Sequence, residues 1–116
     1  MITTTKPPRI ANTDSRDYVH SRKPFRGSNL YAEWVSDQNE ESFERYVVYS
    51  YGEHWPLFIY DDQLHVWFEN ISRYSVSTSK QKSQCHPHTT APTQLSAEQM
   101  KRVVRLGPVG LIEEVV

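Results

Sequence analysis

From Arg45 to Phe68 the chain holds two runs of β-branched and aromatic residues, Arg-Tyr-Val-Val-Tyr-Ser-Tyr and Leu-Phe-Ile-Tyr. After them Leu64, Val66 and Phe68 alternate with His65, Trp67 and Glu69. Such side chains fit a pleated surface better than a helix, and the alternation is the period of a strand with one buried face. Only Gly52 with Pro56, and the polar Asp61-Asp62-Gln63, interrupt the pattern, so each break reads as a tight reversal. The segment is therefore constrained to a β-meander, with strands expected over 45–51, 57–60 and 64–69. Residues 30–35 add an earlier strand, ended by the acidic 37–41. Residues 73–78 add a later one, with Tyr74, Val76 and Thr78 on one face.

The clearest local signal follows at Leu95. Ser96 and Gln99 form a capping box, and Leu95 and Met100 hold the two positions of a hydrophobic staple. Met100, Val103 and Val104 make a stripe at helical spacing that Gly107-Pro108 stops, which predicts a helix over 97–106. Residues 79–94, rich in Ser, Thr, Pro, His and Lys, read as a long polar loop. The apolar tail 109–116 would add an edge strand or cover exposed core. Residues 1–28, with Pro7, Pro8, Pro24 and Gly27 and no apolar period, read as a flexible basic arm outside the domain, with Phe25 their one candidate core residue. The expected fold class is α+β: a small, mainly antiparallel meander of four or five strands with one C-terminal helix packed on it, a single domain over 29–116.

A length of 116 residues allows one core, and a 37% hydrophobic content with mean hydropathy −0.68 makes it a small one. Three Trp, seven Tyr and four Phe argue against a disordered chain. The net charge of −1 conceals segregation: +4 over 1–27, −8 over 28–70 and +3 over 71–116. That balance gives no overall pull toward nucleic acid or an anionic membrane. Cys85 is the single cysteine, so an intramolecular disulfide is impossible and a reducing cytoplasm is the expected compartment. The start of the chain lacks the apolar run of a signal peptide, and no stretch has the length of a membrane span. Asn70-Ile71-Ser72 matches a glycosylation pattern that has no consequence in a cytoplasmic protein.

No residue pattern points to a reaction. Cys85-His86-Pro87-His88 lacks the second Cys pair or helical His partner of a zinc site, and is expected to be exposed decoration of the loop, with no metal bound. Nucleophile elbows, cysteine-protease signatures and glycine-rich phosphate loops are absent from the sequence, so neither an enzyme nor a cofactor is expected. Asp61-Asp62 reads as turn chemistry. Binding is the remaining class. Trp34, Tyr49, Tyr51, Trp55, Phe58, Tyr60, Trp67 and Phe68 exceed what a small core needs. A single helix would leave one aromatic face of the strand at 46–51 uncovered, as a docking surface for a protein. The run Thr78-Ser79-Lys80-Gln81-Lys82-Ser83-Gln84, with Tyr74 nearby, offers donors and cations for a phosphate backbone and a ring for an unpaired base. Tyr49, Tyr51, Trp55, Trp67, Tyr74, Thr78, Ser79, Lys80, Lys82 and Gln84 are thus the candidate binding residues.

Two stretches of this region, Val48-Tyr49-Ser50-Tyr51-Gly52-Glu53-His54-Trp55-Pro56 with Tyr60-Asp61, and Trp67-Phe68-Glu69-Asn70 leading to Tyr74-Ser75-Val76-Ser77-Thr78-Ser79-Lys80, Ser83-Gln84 and Pro87, resemble a family of small uncharacterised proteins of bacteriophages and related mobile elements. The resemblance spans residues 45–87, a little over a third of the chain. Gln81 stands where many such sequences place a histidine after the Ser-Lys pair. The resemblance implies a phage or prophage origin and a bacterial cytoplasm, and no activity. The expected function is that of a phage accessory protein that binds, and modulates, a host or phage protein. The alternative is a single-stranded nucleic-acid-binding module.

Overall fold

The computed structural model describes residues 7–36, 44–50, 55–62, 64–72, 82, 85–87 and 92–106. Its centre is a six-stranded sheet whose strands lie in chain order: β1 (Phe25–Arg26), β2 (Leu30–Ser36), β3 (Glu44–Ser50), β4 (Pro56–Asp61), β5 (Val66–Asn70) and β6 (Thr93–Leu95). Neighbours are antiparallel except β5 and β6, which run parallel. With the helix α2 (Ala97–Leu106) packed on β4, β5 and β6, the fold is a small α+β domain. Four strands and the helix match the sequence expectations within one or two residues. The short outer strands β1 and β6 are additions, and the strand expected over 73–78 lies outside the described residues, as does the tail 109–116. Among the described residues no helix is long and apolar enough to cross a membrane.

Because successive side chains alternate across a strand, the register divides the core in two. Val47, Tyr49, Ile59 and Phe68 meet Leu95, Met100 and Val103 on one face. Leu30, Ala32, Tyr46, Val48, Phe58 and Tyr60 lie on the other. Leu57 is the extra residue of a bulge where pairing slips between Val48 and Tyr49, and it joins this second cluster.

The second face is covered, which corrects the expectation of a bare aromatic side. The cover is the N-terminal segment read as a flexible arm. A 3-10 turn (Asn12–Asp14) leads into the short helix α1 (Ser15–His20), whose Val19 is buried in the cluster with Phe25. The Arg26 amide donates to the Pro8 carbonyl and the Ile10 amide donates to the Arg26 carbonyl, so residues 8–10 pair with the outer edge of β1. Gly27 closes the β1–β2 turn where a Cβ would collide with the Asn12 side chain. The segment lacks apolar periodicity because Val19, Tyr18 and Ile10 are its few apolar anchors; the sheet supplies the rest.

A second correction concerns the loop after β5. Cys85 and Pro87, expected in a solvated stretch, are buried, and Cys85 belongs to the α1-face cluster. Cys85, between β5 and the parallel β6, therefore packs on the α1 face, and the Pro87 carbonyl lies beside His20. Thiol carbon and sulfur behave as a small hydrophobe, and that preference outweighed the polarity of the neighbouring sequence.

Candidate functional site

Four aromatic residues stand in one row across the sheet, one per strand. The register pairs Trp34 with Tyr46, Tyr46 with Tyr60, and Tyr60 with Trp67. Ring centroids are 5.6 Å apart for Trp34–Tyr46 and 5.2 Å for Tyr60–Trp67, both tilted, while Tyr46 and Trp67 meet edge-on at 6.3 Å. Cross-strand aromatic pairs in these geometries add stability beyond the area they bury. Phe58 extends the row, edge-on to Trp67 at 6.4 Å and to His86 at 5.2 Å.

The polar tips of this row hold the end of α1. The Tyr46 hydroxyl donates to the Lys23 carbonyl at 2.6 Å, and Trp34 Nε1 donates to the Arg22 carbonyl at 3.2 Å. Burial pushes the Tyr46 phenol well above its ordinary range, reinforced by the neighbouring Cys85. Arg22 adopts a left-handed backbone, φ 56°, and its guanidinium lies 4.5 Å from the centre of the Tyr60 ring. This is cation–π geometry. The Tyr60 hydroxyl sits 3.0 Å from His65 Nδ1.

At this end the row reaches the surface. His65 is exposed, Trp34 and Trp67 are half-buried, and Leu64, in the same β4–β5 turn, is 54% exposed. Asp61 builds that turn: it is buried, and its Oδ2 accepts the Leu64 amide at 2.7 Å. The carboxylate thus performs the turn chemistry expected of it.

The candidate binding residues fall into different surroundings. Tyr49 is buried on the α2 face, stacked on Tyr31 at 4.9 Å, so its ring is not an outward docking group. Trp55 is half-buried against the α1-face cluster, and Trp67 ends the aromatic row. Lys82 is held: its Nζ lies 3.0 Å from a Glu69 carboxylate oxygen and donates to the Asn70 carbonyl at 2.7 Å. Tyr51, Tyr74, Thr78, Ser79, Lys80 and Gln84 lie outside the described residues. Arg22, Leu64 and His65 stand outside the candidate binding residues, and Tyr60 enters the sequence reading only as one of the surplus aromatics. Arg22 has no sequence signal, and the other three come together only once the register of β4 and β5 is known.

Cys85 does not present a reactive thiol. It is fully buried, and desolvation pushes its pKa up to about 12, so it stays protonated. His86 packs edge-on to Phe58, and the carbonyl of Pro87 lies 3.0 Å from His20 Nδ1. Among the described residues no three His, Cys, Asp or Glu side chains converge as metal ligands. Asn70 is buried with both amide ends bonded, to the Pro56 carbonyl and the Ser72 amide, each at 2.8 Å.

No family model, curated protein or solved structure matches this chain.

Proposed function

We propose that this chain is a non-catalytic protein-binding module, an accessory protein of a bacteriophage or related mobile element that docks on a host or phage protein in the bacterial cytoplasm. The observation that carries the reading is the surface end of the aromatic row. Leu64 is exposed at the turn, half-buried Trp67 lies beside Tyr60, and Arg22 is fixed over the Tyr60 ring. Trp, Tyr and Arg dominate the energetics of protein interfaces. Side chains already held in place lose little entropy on docking. The family-like string over 45–87 supports the phage origin, and the buried, protonated Cys85 supports a role without nucleophilic chemistry. The nucleic-acid alternative loses weight because Lys82 is paired with Glu69.

The test is affinity purification from bacterial lysate with the wild-type chain, Leu64→Asp and Trp67→Ala in parallel. A specific protein partner retained by the wild type and lost from Leu64→Asp is the expected result. Capture that ignores both substitutions would refute the reading. A salt-dependent shift of single-stranded DNA or RNA, lost on Lys80→Ala with Lys82→Ala, would replace it with the alternative.

A further inference from the structure

Among the described residues only Arg22 and His65 carry a side chain on a left-handed backbone, φ 56° and 57°. Both meet on Tyr60: the Arg22 guanidinium lies 4.5 Å from the ring centre, and His65 Nδ1 lies 3.0 Å from the hydroxyl. Such a backbone is strained for residues with a Cβ and persists only where the surroundings fix it. Here they do. The Asp61 carbonyl accepts the His65 amide at 2.8 Å, while the Arg22 amide donates to the Val19 carbonyl and the Arg22 carbonyl accepts from Trp34 Nε1. Two distant loops are thus held, under strain, against one ring.

We propose that Tyr60 is a proton-controlled latch between the β4–β5 turn and the end of α1, and that protonation of His65 releases Arg22 from the docking surface. Histidine is the side chain whose charge changes between about pH 5 and 8. Neutral His65, with its proton on Nε2, accepts the Tyr60 hydroxyl proton at Nδ1; an imidazolium has only donors, so the phenol must turn and accept. A phenol that donates a hydrogen bond has a more electron-rich ring than one that accepts from a cation. Protonation therefore weakens the ring face that attracts Arg22 and places a second positive charge beside it. The guanidinium has another seat at hand, the His20 carbonyl, 3.4 Å from its Nη1. The other charged groups around the turn are committed or face water: Asp61 Oδ2 holds the Leu64 amide, Arg45 across from Asp61 is bonded to the Val104 carbonyl, and Asp62 and Glu44 are exposed. His20 is the second histidine near Arg22, and its Nδ1 is turned to the Pro87 carbonyl. For its effect on docking the latch rests on the function proposed above; the latch itself is read on the chain alone.

The measurement is solution NMR of the full chain, titrated between about pH 8 and 5. The Arg22 δ protons, shielded by the Tyr60 ring, should move toward ordinary arginine values with the midpoint of the His65 ring protons, as the balance of seated and released guanidinium shifts about threefold, the scale of a weak cation–π pair. His65→Asn, a residue that tolerates the left-handed backbone, should keep Arg22 shielded throughout, as should Tyr60→Phe, which keeps the ring and loses the hydroxyl. His20→Gln should titrate as the wild type does. The inference is overturned if the Arg22 protons stay still while His65 titrates, if they follow the midpoint of His20, or if they move equally in His65→Asn. No partner enters these titrations, so failure here is distinguishable from a failure of partner capture through Leu64.

Discussion

Arg45 and Val104 are joined through a single oxygen: both Nε and Nη2 of the arginine donate to the Val104 carbonyl, at 3.1 and 2.9 Å. Nη2 also reaches the Arg105 carbonyl at 3.5 Å. A buried guanidinium from β3 thus caps the last turn of a helix that packs chiefly on β4, β5 and β6. It satisfies carbonyls that have no partner within the helix and sets a positive charge at the negative end of the dipole.

Replacing Arg45 by Ala should therefore destabilise the fold by about 1.5–3 kcal/mol, the range for hydrogen bonds made by a charged donor. Arg45→Lys should recover only part, because an ammonium lacks the planar fork. Urea midpoints check this, and amide exchange in the last turn of α2 should quicken in both variants.

The start of the same helix depends on three side chains. The Gln99 amide donates to Ser96 Oγ at 3.3 Å, and the Ser96 amide donates to Gln99 Oε1 at 2.9 Å, which completes the capping box. Ser72, beyond the end of β5, accepts the Ala97 amide at 2.9 Å. Ser96→Ala should cost about 1 kcal/mol. Ser72→Ala should cost a comparable amount, though the position carries no capping signal in the sequence. Thermal or urea denaturation of the single and double variants measures both costs and their coupling.

Cys85 predicts an alkaline loss of stability. Its thiol is raised from 9.0 to about 12 in the folded state. Above pH 9 the unfolded chain therefore releases a proton that the folded chain keeps, and stability falls as pH rises through that window. The slope from this one group is about 1.4 kcal/mol per pH unit at most. Subtracting the pH profile of Cys85→Ala from that of the wild type gives the thiol's effect together with the part of the Tyr46 shift that Cys85 causes, and both act in the same direction. A difference flat from pH 8 to 11 would contradict the burial of the thiol.

Tyr46→Phe removes the donor to the Lys23 carbonyl and leaves that group without its partner, at a cost of about 1–2 kcal/mol. The effect should be local as well as global. Trypsin cleavage after Arg22 should accelerate relative to cleavage elsewhere, because Tyr46 and Trp34 hold that turn. A cleavage rate equal to that of the wild type would show that the turn is held by other contacts.

The parts of this fold that announce themselves in sequence are those fixed by local physics. Strands β2 to β5 show β-branched and aromatic runs between turn residues, and α2 is framed by its capping box and Gly107-Pro108. What sequence conceals is tertiary. One buried valine of α1 and the Arg22 and Lys23 carbonyls just beyond it, accepting from Trp34 and Tyr46, do the anchoring, and neither has a periodicity to detect. Strand β6 is three residues at the end of a polar stretch, and it forms only because β5 offers an edge. The aromatic row needs the register of three successive strand pairings, so its members are visible as residues and invisible as a row. Cys85 shows the opposite failure, since its polar neighbours suggest exposure where the residue itself is buried.

The packing of Cys85 and Pro87 against the α1 face sets an order of assembly. Strands β1 to β5 can pair as neighbours while the chain is being made, but Cys85 joins Val19, Phe25 and Phe58 only after the sheet that supports them has been synthesised. His20 waits likewise for the carbonyl of Pro87, 67 residues later. A nascent chain that has reached Asn70 therefore holds Phe58 without its final cover, a sticky intermediate of the kind that chaperones retain. The contacts that close this face link distant parts of the chain, and such closure is slow. Sealing the sheet is left to the last third of the chain, so a ribosome stalled before Cys85 would release an aggregation-prone fragment.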